Sequence, residues 1–192
     1  MNAGGGTGDG CRRQVVFSGV GGQGILSLSR LLAEAAIARG YPVLASETHG
    51  MAQRGGVVVA HLKVGPFDSP LVRAGRADLL LVLKEENISL HLPFLSEGGS
   101  LVVNAPALPR VESRVRVHSI DADALALSAG VPRAANLVLL GFALARLGGG
   151  RGEGFFCSAA EIREEISRRR GTGGSRLADS LPAFDLGIAH GA

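Results

Sequence analysis

Residues that build redox and stacking sites are scarce in this 192-residue sequence. Its two cysteines, Cys11 and Cys157, lie far apart, with no CxxC motif and no Cys/His cluster. This excludes an iron-sulfur cluster, a structural zinc site or a disulfide scaffold built by this chain alone. Aromatic residues make up 4% of the sequence, with no Trp and one Tyr, so a stacking platform for nucleic acid is poorly supplied.

Strong net charge and long apolar runs are also missing. The sequence has 20 basic and 17 acidic residues, a net charge of +3, which is a weak excess for a nucleic-acid-binding protein. No apolar run reaches the roughly 18 residues of a membrane span, and the first ten residues are polar and rich in glycine. We therefore expect a cytoplasmic protein that binds neither nucleic acid nor a membrane.

Apolar runs and turn residues predict a single α/β domain at residues 14–190, preceded by a flexible glycine-rich tail at residues 1–13. Gln14–Ser18 is predicted to be a buried strand that leads through a glycine turn into a helix ending near Gly40. Further strands are predicted at Pro42–Ser46, Gly56–Val64, Asp78–Leu83, Ser100–Asn104 and Arg114–Ser119. Buried strands that alternate with helices imply a Rossmann-like three-layer domain with a mostly parallel sheet covered on both faces.

The remaining helices are predicted from periodicity and capping residues. One spans Glu86–Leu95 and is closed by a turn at Gly98–Gly99. Ser158 and Glu161 have the spacing of a capping box and predict the start of a helix at Ala159–Arg170. The others are predicted at Asp121–Ala129, at Arg133–Leu147 and around Leu181–Ile188.

A glycine fingerprint joins the first strand to the first helix. Gly19, Gly21 and Gly24 fit G-x-G-x-x-G, and Glu47 follows near the end of the second strand. Unpaired N–H groups at a helix start favour an anion, and glycines let a phosphate approach the backbone. Glycines can equally serve tight packing of the strand on the helix, so the fingerprint alone leaves both interpretations open.

The segment after the second strand carries the densest set of reactive side chains. Residues 46–56 place His49, Gln53 and Arg54 just before Gly55 and Gly56. A guanidinium next to two glycines can grip an anion or a partner protein. The same residues could form a solvated loop whose charges pair internally, and for His49 a structural hydrogen bond is the simpler interpretation.

Taken together, the two segments resemble the gamma-type domain of 2-oxoacid:ferredoxin oxidoreductases. The resemblance rests on Gly19–Gly24 followed by Ser46–Gly56, and it continues through Gly75–Asp78, Asn136–Gly141 and Ala183–Phe184 in the same order. The Glu-Thr-His-Gly-Met-Ala-Gln form of the second segment favours the branch that acts on indolepyruvate and other arylpyruvates.

The resemblance implies that this chain completes an active site whose redox cofactors lie elsewhere. A larger partner subunit would hold thiamine diphosphate and iron-sulfur clusters and pass electrons to ferredoxin, with coenzyme A as co-substrate. His49 and Arg54 become the candidate catalytic residues. The expected contact surfaces for a cofactor or for the partner are Gly19, Gly21, Gly22, Gln23, Gly24, Gln53, Arg54, Gly55 and Gly56.

Two other interpretations stay open at this point. A free-standing Rossmann protein that binds NAD would use Glu47 to bond a ribose. A regulatory module that binds nucleic acid through arginines has little support, because the basic residues are scattered apart from short runs at Arg12–Arg13 and Arg168–Arg170.

Overall fold

The centre of the molecule is a six-stranded sheet. The computed structural model describes residues 11–49, 55–111, 114–148, 155–172 and 180–192. The strands are β1 (Arg13–Val20), β2 (Val43–His49), β3 (Val57–Val64), β4 (Ala77–Val82), β5 (Leu95–Asn104) and β6 (Arg116–Ile120). Their order across the sheet is β2-β3-β1-β4-β5-β6.

Only β3 runs against the common direction of these six strands. It pairs antiparallel with β1 and with β2, whereas β1–β4, β4–β5 and β5–β6 are parallel pairs. The mostly parallel sheet is therefore confirmed, with one antiparallel strand inserted between β1 and β2. The first strand also begins at Arg13 and extends to Val20, so it is longer at both ends than the apolar run predicts.

The helices are distributed unequally over the two faces of the sheet. We call the face that carries the long helices the helix face; it buries alternate strand residues such as Val15 and Phe17. The helices of the described residues are α1 (Ile25–Ala38), α2 (Ile88–His91), α3 (Ala122–Ser128), α4 (Ala135–Gly148), α5 (Ala159–Thr172) and α6 (Ser180–Gly191). All of them except α2 contribute side chains to the core of the helix face.

The opposite face, which we call the thin face, has a lighter cover. Val16, Leu80 and Val103 are buried there beneath α2 and irregular segments, including Val72 and Ala105. Five of the eight prolines fall in these covering segments. Proline interrupts regular helix, so the thin face lacks the long helices of the helix face. The five prolines are Pro66, Pro70, Pro93, Pro106 and Pro109.

One predicted helix is wrong in form. In place of a continuous helix at Glu86–Leu95, the chain makes a 3-10 turn at Glu85–Asn87, the single turn α2, and a second 3-10 turn at Leu92–Phe94. Pro93 lies in the last of these turns and cannot donate the backbone hydrogen bond that a continuing helix needs.

The predicted turn at Gly98–Gly99 is also wrong, because both glycines lie inside β5. The pairing of β5 with β4 shifts register between Ala77 and Leu79, so extra β5 residues lie opposite a short stretch of β4. Gly98 has φ of 73°, the left-handed conformation that such an irregularity takes up most readily in glycine.

Two helix starts follow their capping residues. Asp121 accepts a hydrogen bond from the Ala124 N–H at 2.9 Å and begins α3. At the start of α5, the Glu161 carboxylate accepts from the Ser158 N–H at 2.6 Å, and Ser158 Oγ accepts from the Glu161 N–H at 3.3 Å. The predicted capping box is therefore confirmed.

Candidate functional site

The glycine turn lies at the carboxyl end of β1 and is built by backbone hydrogen bonds. Val20 O accepts from the Gln23 N–H at 3.1 Å, which closes the turn. Gly24 is the N-cap of α1 in the left-handed conformation, with φ of 78° and no side-chain cap. The first turn of α1 also contains no acidic residue, so its N–H groups face this edge of the sheet without a side-chain acceptor.

The glycines of the turn serve different purposes. A Cβ at Gly24 would collide with the Asn136 carboxamide, and one at Gly19 would lie 2.7 Å from Gln23 Oε1 and from Ile25 Cδ1. Those two glycines allow close packing. Gly22 differs, because a Cβ there would meet nothing within 4 Å although its φ is 98°. The turn is therefore closely packed at Gly19 and Gly24, and it leaves open space at Gly22.

The structure brings the two predicted site segments together. The Gly21 N–H donates to Gly56 O at 3.0 Å, and a Cβ at Gly21 would lie 3.4 Å from the Gly55 nitrogen. His49, the last residue of β2, pairs with Val58 of β3, which in turn pairs with Gly19. The glycine turn, the Gly55–Gly56 pair and the end of β2 thus lie at the same end of the sheet, where β1 and β2 end and β3 begins.

Gln53 and Arg54 lie outside the described residues. Gln23 is placed, and its side chain points into the protein. Its Oε1 accepts from the Val20 N–H at 2.8 Å, and its Nε2 donates to Leu83 O at 3.2 Å. Gln23 therefore ties the turn to the end of β4, and its carboxamide orients the site from beneath.

Two asparagines extend this arrangement, and sequence reasoning did not single them out for the site. Asn87 Nδ2 donates to Gly19 O at 3.0 Å, and Asn104 Nδ2 donates to Leu83 O at 3.3 Å. Both side chains are buried; Asn87 lies in the turn after β4, and Asn104 is the last residue of β5. An asparagine directly after an apolar strand is the sequence signal that could have pointed to them.

The position of this edge within the fold suits ligand binding. β1 continues into α1 on the helix face, whereas the neighbouring parallel strand β4 continues toward α2 on the thin face. The chain therefore leaves two adjacent strands in opposite directions and opens a crevice at their carboxyl ends. Lys84 and Glu86, an exposed ion pair at 3.1 Å, follow β4 at this point.

A cleft of about 640 Å³ lies on the helix face beside the turn. Asn136, which touches Gly24, is one of its lining residues, together with Ser27 and Arg169. Arg169 is held by Glu34, whose Oε2 lies 3.0 Å from the Arg169 Nε. The pKa of the buried Glu165 carboxyl beside them is raised, chiefly by burial and then by its hydrogen bond to Glu34.

The strand order argues against NAD binding through Glu47. In the Rossmann arrangement the strand that carries the acidic residue lies next to β1. Here β3 separates β2 from β1, so Glu47 lies two strand spacings away, about 9.5 Å. It pairs with Ala60, which pairs with Phe17, so Glu47 is level with the middle of β1 rather than with the glycine turn.

Groups for redox chemistry or for membrane insertion are not found among the described residues. No group of three or more His, Cys, Asp or Glu side chains there could hold a metal ion. Cys157 is buried in the core, and burial raises the pKa of its thiol. In the same part of the chain, none of the helices combines the length and apolarity that a membrane crossing requires.

A mostly parallel sheet with a glycine turn at its switch point defines a Rossmann-like α/β domain. The family model for pyruvate ferredoxin/flavodoxin oxidoreductase matches residues 14–190. The chain belongs to this family and is a subunit of a 2-oxoacid:ferredoxin oxidoreductase.

Individual relatives agree with this assignment. Indolepyruvate oxidoreductase subunit IorB of Pyrococcus horikoshii is 32% identical over 91% of this chain and 93% of that protein. Ketoisovalerate oxidoreductase subunit VorA of Methanothermobacter thermautotrophicus is 31% identical over 69% of this chain and 28% of that protein. The crystal structure of a keto/oxoacid ferredoxin oxidoreductase gamma subunit from Geobacter sulfurreducens has a TM-score of 0.71 and 25% identity, covering 93% of this chain and 98% of that one.

Proposed function

We propose that this chain is the small subunit of a complex that oxidatively decarboxylates indolepyruvate or a related arylpyruvate. A larger subunit holds thiamine diphosphate and the iron-sulfur clusters, ferredoxin receives the electrons, and coenzyme A receives the acyl group. The 32% identity to an indolepyruvate oxidoreductase subunit over most of both chains supports this choice of substrate. The ketoisovalerate relative is similar over a smaller share of both chains.

The observation that carries the proposal is the hydrogen bond from the Gly21 N–H to Gly56 O. It joins the glycine turn to the end of the Arg54-Gly55-Gly56 segment, although α1 and β2 separate them in sequence. Two segments that each suit an anion thus form one surface at the carboxyl end of β1, next to the crevice between β1 and β4.

On this surface we assign separate roles to the predicted site residues. The open space at Gly22 and the uncapped start of α1 suit close approach by a phosphate group of coenzyme A. Arg54 contributes a cation at the adjacent segment, and Gln23 holds the turn in place from beneath. His49, level with Gly19 at the end of β2, is the candidate for proton transfer.

The redox cofactors themselves do not fit this chain. An iron-sulfur cluster needs about four thiolates, but the sequence has two cysteines, and one of them is buried with a raised thiol pKa. The contribution of this subunit is therefore to bind, orient and enclose, while the partner subunit supplies the electron-transfer centres.

The test uses the complex reconstituted from this chain and its copurifying large subunit. Turnover with indolepyruvate should exceed turnover with pyruvate or ketoisovalerate, measured as ferredoxin or viologen reduction. Arg54→Ala should raise the apparent KM for coenzyme A by about tenfold or more, because a hydrogen bond to a charged group contributes about 1.5–3 kcal/mol.

The matched control is Arg30→Ala, which removes the same charge from an exposed position on α1 and should leave that KM unchanged. An unchanged KM in Arg54→Ala would contradict the role in coenzyme A binding. A preference for pyruvate or ketoisovalerate would contradict the substrate. Failure to copurify with a large subunit that carries thiamine and cysteine-cluster motifs would contradict the assembly.

A further inference from the structure

A cluster of cations lies at the end of the sheet opposite the glycine turn, where β1 begins and β3 ends. Its centre is Lys63 of β3, which pairs with Gln14 at the beginning of β1. The glycine turn follows Val20 at the other end of the same strand. Six residues of extended strand separate the two positions, roughly 20 Å at about 3.3 Å per residue.

Lys63 is buried in an unusual way for a lysine. Its relative exposure is 7%, and within the described part of the chain its ammonium group takes part in no hydrogen bond or ion pair. Its charged atom Nζ lies 5.1 Å from the centre of the Phe67 ring. Nζ is not among the fully buried polar atoms that lack a hydrogen-bond partner in the described part of the chain, so the aliphatic stem of Lys63 is covered while its charge reaches the surface.

Two arginines lie near Lys63. The guanidinium carbon of Arg12 lies 4.3 Å from the centre of the same Phe67 ring, and Arg12 Nη1 donates to Pro66 O at 2.9 Å. Arg73 follows Val72, whose N–H donates to His61 Nδ1 at 3.3 Å and thereby fixes the loop over β3. Burial lowers the pKa of Lys63, and the charges of Arg73 and Arg12 lower it further.

Three positive charges thus converge without an acidic partner. Within the described ranges, none of the ion pairs includes Arg12, Lys63 or Arg73, and Asp68, one residue after Phe67, pairs with none of them. Arg12 and Arg73 are exposed, so the cluster opens to solvent on one side while Lys63 forms its floor.

We propose that Arg12, Lys63 and Arg73 form a binding site for a phosphate-type oxyanion. A doubly charged oxyanion suits this site because it offsets most of the mutual repulsion of the three cations. The arginines supply planar, paired donors, and Lys63 supplies a point charge from below. A phosphate group has enough oxygens to accept from all three side chains at once, whereas a carboxylate has only two.

This site is separate from the proposed function. It shares none of its residues with the glycine turn or with residues 53–56, and it lies at the other end of β1. A negative result here would leave the coenzyme A proposal intact, and failure of that proposal would leave this one intact.

The experiment titrates the full chain with inorganic phosphate at low ionic strength, with binding followed by calorimetry. We expect saturable binding at one site and a rise in the unfolding temperature with phosphate concentration. Lys63→Met should weaken binding by about tenfold or more. Its unfolding temperature without phosphate should not fall, because methionine keeps the covered apolar stem and removes a charge that repels Arg12 and Arg73.

Two further variants keep the test decisive. Arg73→Gln changes an exposed side chain and should weaken phosphate binding severalfold even if Lys63→Met folds poorly. Arg30→Gln removes one charge on α1 and should bind phosphate as the unchanged chain does. Absence of saturable binding, equal weakening in Arg30→Gln, or acetate binding as tightly as phosphate would each overturn the proposal.

Discussion

The two faces of the sheet differ in how they are covered and in what they bury. The helix face is sealed by five helices and buries mainly apolar side chains. The thin face is covered by short turns and loops, and it buries Ser18, His61, Lys63 and His91 among its apolar residues. The helix face therefore stabilises the fold mainly through apolar packing, whereas the buried polar groups of the thin face each need a specific hydrogen-bond or ring contact.

The tightest packing on the helix face is between α4 and α6. A Cβ at Gly187 would collide with Val138 O, one at Gly141 with Phe184 O, and one at Gly191 would lie 2.8 Å from Phe142 O. The two helix backbones therefore touch directly. Side chains at these positions would have to push the helices apart, because the opposing atoms belong to the backbone.

The largest expected effect follows from breaking this contact. Gly187→Ala should destabilise the chain by about 3 kcal/mol, the upper range for inserting atoms into a packed interior. Chemical denaturation followed by circular dichroism measures it. Gly148→Ala is the matched control, since a Cβ there meets nothing within 4 Å, and it should be neutral or slightly stabilising. Equal stability of both variants would contradict the close packing of α4 and α6.

A smaller effect is expected from acidifying the thin face. His91 Nδ1 lies 2.8 Å from Ser18 Oγ, and the rings of His61 and His91 both pack against Phe94. Burial lowers the pKa of both histidines from 6.5, and His91 and Lys63 lower that of His61 further. Near and below pH 6.5, these two histidines therefore bind more protons in the unfolded chain than in the folded one.

Stability from these two neutral rings should be complete above about pH 6.5 and decline as the pH falls toward their folded-state pKa values. Unfolding temperatures measured between pH 8 and 5 should fall less steeply in the double variant His61→Gln/His91→Gln. His190→Gln, at an exposed position of α6, should keep the original slope. Some slope should remain in the double variant, because burial also lowers the pKa of His118.

The smallest effect concerns an exposed helix end. Ser158→Ala removes the hydroxyl that accepts from the Glu161 N–H at the start of α5, and loss of such a cap costs about 1 kcal/mol. The measurement is the free energy of unfolding. Ser167→Ala is a suitable control, since its hydroxyl bonds only to Arg163 O within the same helix. A cost for Ser158→Ala as large as that of Gly187→Ala would contradict the ranking of cap below packing.

The helix face was more predictable than the thin face, and the reason is physical. The periodic apolar residues of α1 and the capping residues of α3 and α5 act over a few positions, so the sequence shows them directly. The thin face depends on Pro93 interrupting a helix and on Gly98 entering a strand, where local patterns favour a helix and a turn. The antiparallel β3 was equally hidden, because its apolar run resembles that of a buried parallel strand.

Much of the site could be named from sequence, but its geometry could not. The glycine turn and Gly55–Gly56 were identified as separate segments, and nothing local indicates that Gly21 bonds to Gly56. Gln23 belonged to the predicted contact surface, yet its carboxamide holds the ends of two strands. The cluster around Lys63 was missed because Arg12 falls in the glycine-rich tail of the sequence and the other members lie on β3 and its following loop.

The strand order also has a consequence for the order in which the protein is assembled during synthesis. β1 is synthesised before both of its neighbours, β3 and β4. Arg13 cannot pair until Val64 has been made, and Val15 cannot pair with β4 until Leu79 has been made. β2 and β3 can pair as an antiparallel ribbon before β1 joins them. We therefore expect the amino-terminal strand to stay available to chaperones until the nascent chain has passed β4, since such distant pairings form slowly.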